Sequence, residues 1–341
     1  MIYATIYADG HTANSLFAQD DSVHRYNPTF TPRLLRQTFL EQGVEINTPD
    51  LNAGRDVAFE LHLEGRPLGE RLRPRFLIAL ENPNINKLNA SSHYCQQFDG
   101  VFAWDPRLFH VPQVTPILIP HPMECGEFVG WDQRPRFSCL INANKAFKEV
   151  LPSDLYLERL KTIRWYEKNA PDQFDLYGMG WEKSVPAYTA VGRLARLGSR
   201  LKTRLFGVPP FPSYRGAVSD KAAVLRKTRF SYCYENSRDL SNYITEKIFD
   251  SLAQGCVPVY WGADNVLDYI PADCFVDRRQ FANTAEVHRF ISAITAQEYA
   301  QYQANIANFM ASAVAARFSS AHFARQVVDQ VLASLGLPGS E

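Results

Sequence analysis

Residues 230–262 read Phe-Ser-Tyr-Cys-Tyr-Glu-Asn-Ser-Arg-Asp-Leu-Ser-Asn-Tyr-Ile-Thr-Glu-Lys-Ile-Phe-Asp-Ser-Leu-Ala-Gln-Gly-Cys-Val-Pro-Val-Tyr-Trp-Gly. The apolar run 230–234 predicts a strand, and the polar loop Glu235-Asn236-Ser237 follows it. A helix is expected from Thr245 as N-cap, with Glu246 and Lys247 in its first turn and Ile248, Phe249 and Leu252 on its buried face. Gly255 supplies the stop, and Val257–Trp261 reads as the next strand. A helix N-terminus presents free N–H groups and a partial positive charge, which suits a phosphate. Lys247 would add a full charge there, and the Glu246 carboxylate could accept hydrogen bonds from the vicinal hydroxyls of a ribose or sugar. Equally, Glu246 reads as a partner of the helix dipole and Lys247 as a solvated surface charge; the residues alone leave both open.

The same alternation extends outward. Ile2–Tyr7, Val57–Leu61, Phe76–Leu80, Val101–Trp104, Phe137–Asn142, Phe174–Tyr177, Phe230–Tyr234 and Val257–Trp261 read as strands. Helical patterns at Ser153–Asn169, Asp220–Lys227 and Thr245–Gln254 lie among them, and beyond about Ala285 the chain reads as helix only. Strands alternating with helices imply βαβ units in parallel sheets, hence an α/β fold. Pro112, Pro116, Pro120, Pro122 and Pro135 interrupt the pattern, and prolines at that density resist both helix and central strand. The expected organisation is 1–130, 131–300 and a helical segment 301–341. The two α/β halves would face across a cleft, with ligands at the carboxyl ends of the strands.

The chain has 341 residues, enough for about two domains. With 46% hydrophobic and 21% charged residues it is globular, not disordered. Lysine plus arginine and aspartate plus glutamate both number 36, so a dedicated nucleic-acid binder, basic overall, is disfavoured. The 16 tyrosines and 22 phenylalanines suit stacking on bases or sugars, or simply core packing. Cys95, Cys125, Cys139, Cys233, Cys256 and Cys274 form no CxxC pair, so neither a zinc ribbon nor a disulfide scaffold is expected. The start Met1-Ile2-Tyr3-Ala4-Thr5-Ile6-Tyr7 has no signal-peptide pattern, and no window approaches about 18 apolar residues. The expected location is a reducing cytoplasm.

One segment departs from neutrality. In 191–207, Arg193, Arg196, Arg200 and Arg204 recur at helical spacing with no acid between them, beside Leu194, Leu197, Leu201 and Leu205. A basic amphipathic helix can rest on an anionic membrane surface. The alternative is a surface helix whose leucines pack on the domain, and Gly192, Gly198 and Gly207 weaken an isolated helix.

The run Tyr234-Glu235-Asn236-Ser237, Tyr243-Ile244-Thr245-Glu246-Lys247 and Gly255-Cys256-Val257-Pro258-Val259-Tyr260-Trp261-Gly262 resembles the signature of the α-1,3-fucosyltransferase family, glycosyltransferase family 10. The resemblance covers about residues 75–280 and implies a GT-B fold of two Rossmann-like domains. It makes 1–130 the acceptor-binding domain and 131–300 the domain for GDP-fucose. It further implies an inverting enzyme that moves L-fucose from GDP-β-L-fucose to a sugar hydroxyl. Arg159 is similar in placement to the family's diphosphate-binding arginine, with Arg164 a competitor and a solvated helix charge the alternative for both. Tyr214 matches a tyrosine near the nucleotide, and Asn236, Tyr243 and Glu246 would hold the donor in line. The end of strand 174–177 at Gly178 would allow close backbone approach to a ligand. Glu81, in Glu81-Asn82-Pro83 after the strand 76–80, matches the catalytic base; alone it reads as a surface loop glutamate.

The mechanism so implied needs Glu81 to take the acceptor hydroxyl proton, and Arg159, Lys247 and a helix N-terminus to stabilise departing GDP. No Asp-x-Asp motif, HxH or HxxxH pair is present, so no tightly bound metal is expected and the donor's charge falls to lysine, arginine and the helix dipole. The expected acceptor is a glycan, with α-1,3 linkage to a GlcNAc- or Glc-type residue of a bacterial surface polysaccharide or its lipid-linked precursor. Two rivals stand beside this reading: a GT-B transferase using another GDP-sugar, and an inactive nucleotide-sugar or glycan-binding protein. The Glu81 carboxylate argues against the second.

Overall fold

A computed structural model describes residues 1–18, 28–149, 151–186, 194, 196–198, 201, 203–205, 207 and 209–337. By packing, these divide into two units. The first comprises Met1–Met123, Ser241–Thr245 and Ala313–Glu341; the second comprises Glu124–Leu240 and Glu246–Ser312. The division set at 130/131 in the sequence thus lies at 123/124, and the chain beyond 313 packs with the first unit instead of forming a segment of its own.

The first unit is built on a six-stranded sheet, all parallel, in the order β2-β1-β3-β4-β5-β6. Its strands are β1 (Ile2–Tyr7), β2 (Val44–Asn47), β3 (Val57–Leu63), β4 (Arg75–Ala79), β5 (Gly100–Ala103) and β6 (Val114–Pro116). In β4 every residue is buried, as a parallel strand covered on both faces requires. Phe76 and Ile78 join the core with Phe39, Phe59 and Phe323, whereas Leu77 and Ala79 join the opposite one with Tyr94, Phe98 and Leu108. The first face is closed by α1 (Phe30–Glu41) and by the C-terminal helix Ser320–Ser334, whose Phe323, Ala324, Val327, Val328, Val331 and Leu332 form a helical stripe. β6 lies within the proline passage, where no strand was expected. It is an edge strand with Pro116 as its last residue, a position that tolerates a missing N–H.

The second unit holds a five-stranded parallel sheet in the order β11-β10-β9-β7-β8. Its strands are β7 (Arg136–Ile141), β8 (Phe174–Tyr177), β9 (Thr228–Tyr234), β10 (Val257–Trp261) and β11 (Val276–Asp277). Helix α2 (Leu155–Asn169) starts where the Asp154 carboxylate accepts the Tyr156 N–H at 2.7 Å. Helices α3 (Lys221–Arg226) and α4 (Glu246–Leu252) follow, with Ile248, Phe249 and Leu252 of α4 buried as the sequence pattern requires. Gly178, at φ +121°, approaches the protein's own backbone. A Cβ there would lie 2.1 Å from the carbonyl oxygen of Asn142, so the expected ligand approach at this glycine gives way to the β7–β8 strand ends.

Five of the six cysteines are buried as small apolar residues, and all six are free thiols. Among the described residues no helix is long and apolar enough to cross a membrane. Arg193 and Arg200 of the basic stretch lie outside the described residues. Leu194, Leu197, Leu201 and Leu205 are helical and 55–69% exposed, so they do not pack on the domain.

Candidate active site

In the second unit, four of the candidate donor residues, Arg159, Asn236, Glu246 and Lys247, come together around the end of β9. β9 delivers Glu235 fully buried, its N–H bonded to the carbonyl of Trp261 at 2.9 Å. Its carboxylate lies 3.0 Å from Lys247 Nζ, which is also 3.3 Å from the Glu246 carboxylate at the start of α4. Gly262 makes the room: a Cβ on it would sit 2.4 Å from both the Glu235 side chain and the Tyr260 hydroxyl. Burial works against the Lys247 ammonium, but Glu235 and Glu246 outweigh it and hold its pKa above the ordinary lysine value. Lys247 therefore keeps its charge. To the Glu246 carboxylate expected beside Lys247 the structure adds a second, that of Glu235.

Arg159 reaches this cluster from α2. Its Nη2 donates to the carbonyls of Tyr234 (2.6 Å) and Glu235 (2.7 Å) and to Asn236 Oδ1 (3.1 Å), and its guanidinium lies 4.7 Å from the centre of the Tyr156 ring. Asn236 is tied in a second time, its carbonyl accepting the N–H of Leu155 at 3.1 Å. Arg159 is thus engaged in holding the 234–236 loop. Arg164 is turned away, bonded to Glu167 and to the carbonyl of Pro210 and set over Phe211. Tyr214 lies beside β8 at the sheet's edge, bridged to Leu176, two strands away from β9.

A small cavity of about 20 Å³ lies beside Lys247 and is lined also by Asn142, Lys221, Cys233, Asp250 and Ser251. Lys221 and Asp250 are paired at 3.1 Å. Burial pushes the Asp250 carboxyl up to about 7 against the pull of Lys221. At Lys221 burial acts the other way, but Asp250 and Glu246 outweigh it and raise the amine. Each group holds its proton more tightly than usual, so Lys221 stays charged beside Lys247. Glu235, Lys221 and Asp250 went unassigned in the sequence; Glu235 had a readable signal, an acid closing a buried apolar strand.

In the first unit, Glu81 follows β4. Its carboxylate accepts the N–H of Asn82 at 2.7 Å, and its own N–H donates to the Glu64 carboxylate at 3.0 Å. Trp104, after β5, donates from its indole N–H to the carbonyl of Leu80 at 2.9 Å, and its ring lies 4.9 Å from that of Tyr243. Asn242 Nδ2 donates to the Trp104 carbonyl at 3.1 Å, and His121 Nε2 is 3.3 Å from the carbonyl of Ile244. Tyr243, expected among the donor residues, therefore packs with the unit that carries Glu81, while Glu246 and Lys247 belong to the other. Among the described residues no three His, Cys, Asp or Glu side chains gather as a metal site would require.

Two all-parallel α/β units with charged groups at strand carboxyl ends are the architecture of GT-B glycosyltransferases, and solved structures match along the chain. An alpha1,3-fucosyltransferase with GDP superimposes with a TM-score of 0.51 at 12% identity, covering 99% of this chain and 91% of that one. An alpha-glucosyltransferase in complex with UDP-glucose and DNA containing an abasic site gives 0.59 at 10% identity, covering 98% and 99%. Residues 193–323 match the family described as glycosyltransferase family 10 (fucosyltransferase) C-term. The alpha-(1,4)-fucosyltransferase of Arabidopsis thaliana is 33% identical over 66 residues, 19% of this chain and 16% of that protein. The chain thus aligns with less than a fifth of this relative's length.

Proposed function

We propose that the protein is an inverting fucosyltransferase that moves L-fucose from GDP-β-L-fucose to a hydroxyl of a glycan acceptor. The observation that carries this reading is the charged Lys247, held beside Glu246 at the start of α4 within the residues that match family 10. In this reading Lys247, with Lys221 beside the same cavity, faces the diphosphate, and Glu246 accepts from donor hydroxyls. Arg159 fixes the loop that presents Asn236, while Tyr214 and Tyr243 pack nearer the nucleotide and the sugar. Glu81 takes the proton from the acceptor hydroxyl as its oxygen bonds to the anomeric carbon. The bond from that carbon to the diphosphate oxygen breaks, its electron pair leaves with GDP, and the configuration inverts. Cations and helix N–H groups stabilise the developing charge without a metal, so transfer should persist in EDTA.

The acceptor follows the same reading: a GlcNAc- or Glc-type residue of a surface polysaccharide or its lipid-linked precursor, joined through α-1,3 linkage. The exposed leucines of 194–205 beside arginines would hold the enzyme at an anionic membrane surface from the cytoplasmic side. Because the same fold also serves a UDP-sugar enzyme, the donor has to be tested directly. Calorimetry with GDP-fucose, GDP-mannose and UDP-glucose, followed by product analysis with Glu81→Gln, does so. GDP-fucose should bind best, and its affinity should survive the substitution while transfer collapses. Preference for a UDP-sugar would overturn the donor assignment, and undiminished transfer by Glu81→Gln would overturn the base.

A further inference from the structure

Beside Glu81 stands a second carboxylate that the reaction as described leaves unused. Glu64 is the first residue after β3, and its backbone is left-handed, φ +68°, a conformation that a non-glycine residue rarely adopts outside turns. The backbone around it is pinned. Its N–H bonds the carbonyl of Ile78 at 2.9 Å, and the next N–H, of Gly65, donates to Asn89 Oδ1 at 2.7 Å. A Cβ on Gly65 would lie 2.5 Å from that of Leu88, so the turn is closed tightly onto the 86–89 segment.

This turn carries the Glu64 side chain under the loop that follows β4. Glu64 Oε2 accepts the N–H of Leu80 at 3.2 Å, the N–H of Glu81 at 3.0 Å and the side-chain amide of Asn89; Oε1 shares the Leu80 N–H at 3.3 Å. Asn89 also donates to the carbonyl of Glu81 at 3.0 Å. The backbone of residue 81 is thereby gripped from both its N–H and its C=O. A strained residue delivering a half-buried carboxylate to one loop is the kind of local cost that persists where geometry matters for function.

We propose that Glu64 is a positioning residue for Glu81, clamping the 80–81 backbone so that the Glu81 carboxylate is held in its working direction. This rests on the reading of Glu81 as the base. The clamp is strongest with Glu64 ionised, when both oxygens accept. Burial pushes the Glu64 carboxyl up to about 7, with the nearby Glu81 charge adding to the rise and the hydrogen bonds opposing it. Of the charged side chains at this strand edge, Glu81 faces Glu64. Arg66 is turned to Asp9 and the ring of Tyr7, His62 to Glu60, and Lys87 is exposed. The clamp should therefore tighten as pH rises through neutrality.

The test compares the full-length wild type with Glu64→Ala, Glu64→Gln and Glu81→Gln, measuring kcat across pH and the Kd for GDP-fucose. Glu64→Ala should lose at least about tenfold in kcat with Kd unchanged within about twofold. Glu64→Gln, which keeps the length and one acceptor oxygen, should recover most of that loss but lack the inflection of kcat near neutrality. A kcat for Glu64→Ala within about twofold of wild type, or a Glu64→Gln profile that keeps the inflection, would overturn the proposal. A loss of GDP-fucose affinity in proportion to kcat would do the same, because it would mean general disruption. If Glu81→Gln is inactive while Glu64→Ala is normal, the clamp alone falls; if Glu81→Gln transfers normally, the base reading falls and the clamp with it.

Discussion

The Glu235 carboxylate lies 3.0 Å from the Lys247 ammonium, the acid fully buried at the end of β9 and the base 14% exposed in the first turn of α4. The pair explains how a lysine can be charged where its own burial opposes charge. It also explains why the strand–loop–helix–strand unit ends in glycine, since Gly262 vacates the space that the Glu235 side chain and the Tyr260 hydroxyl fill.

Breaking such a pair from one side strands the other charge, which typically costs about 3–5 kcal/mol. Lys247→Met, which removes the cation from the fully buried Glu235, should lower unfolding stability by about that amount; Glu235→Gln should cost less, about 1–3 kcal/mol, because Glu246 stays 3.3 Å from Lys247, and the double variant should recover most of the larger loss. GDP affinity should separate from stability in this series. It should fall by at least about tenfold wherever Lys247 is replaced, as for loss of a charge-assisted contact. Urea denaturation and calorimetry on the four proteins decide the matter; additive stability losses would show that the two residues are not coupled.

Arg159 makes a separate prediction. One nitrogen serves two backbone carbonyls and the Asn236 side chain, an arrangement that depends on the planar guanidinium. Arg159→Lys should cost about 1–3 kcal/mol of stability, the range for buried hydrogen bonds to a charged donor. GDP affinity should drop alongside, because the 234–236 loop shifts. Weaker GDP binding at unchanged stability would place Arg159 on the ligand instead of on the loop.

Gly178 tests the strand ends beside the pocket. With φ +121° and a Cβ that would sit 2.1 Å from the Asn142 carbonyl, alanine here meets both an unfavourable backbone and a collision. Gly178→Ala should destabilise by about 3 kcal/mol or more, combining the strain with displaced backbone. Equal urea midpoints for variant and wild type would contradict the close approach.

What the sequence could and could not reveal divides along the range of the interactions. The unit 230–262 was legible because a parallel strand buried on both faces is a continuous apolar run and a helix stop is a glycine. The edge strand Val114–Pro116 was hidden by its prolines, which an edge position tolerates. Tyr243 was assigned with its sequence neighbours Glu246 and Lys247, yet its packing is decided by Trp104, distant in the chain. Arg134, in the same proline passage, is fully buried and donates to the carbonyls of Val129, Leu225, Thr228 and Gln254; nothing in its local pattern marks that role. Glu64 is the sharpest case. Its partners are backbone groups of another strand end, and its left-handed backbone leaves no compositional trace without a glycine.

The Glu64 carboxyl also makes a stability prediction whose sign can be worked out. Its pKa in the folded protein is about 7, against a reference value of 4.5. Between those values the native state holds a proton that the unfolded chain has released. Stability due to this group is therefore full below about pH 4.5, falls as pH rises, and levels off above about pH 7. The span corresponds to about 3 kcal/mol at most. Glutamine at position 64 cannot titrate, so the stability of Glu64→Gln relative to wild type should improve by up to about 3 kcal/mol between about pH 5 and about pH 8. Urea midpoints measured at both pH values check this, and parallel shifts of the two proteins would rule it out. A variant more stable at neutral pH yet altered in its pH–rate profile would mean that the ionised carboxylate is retained at a cost to the fold, because it holds the loop of Glu81.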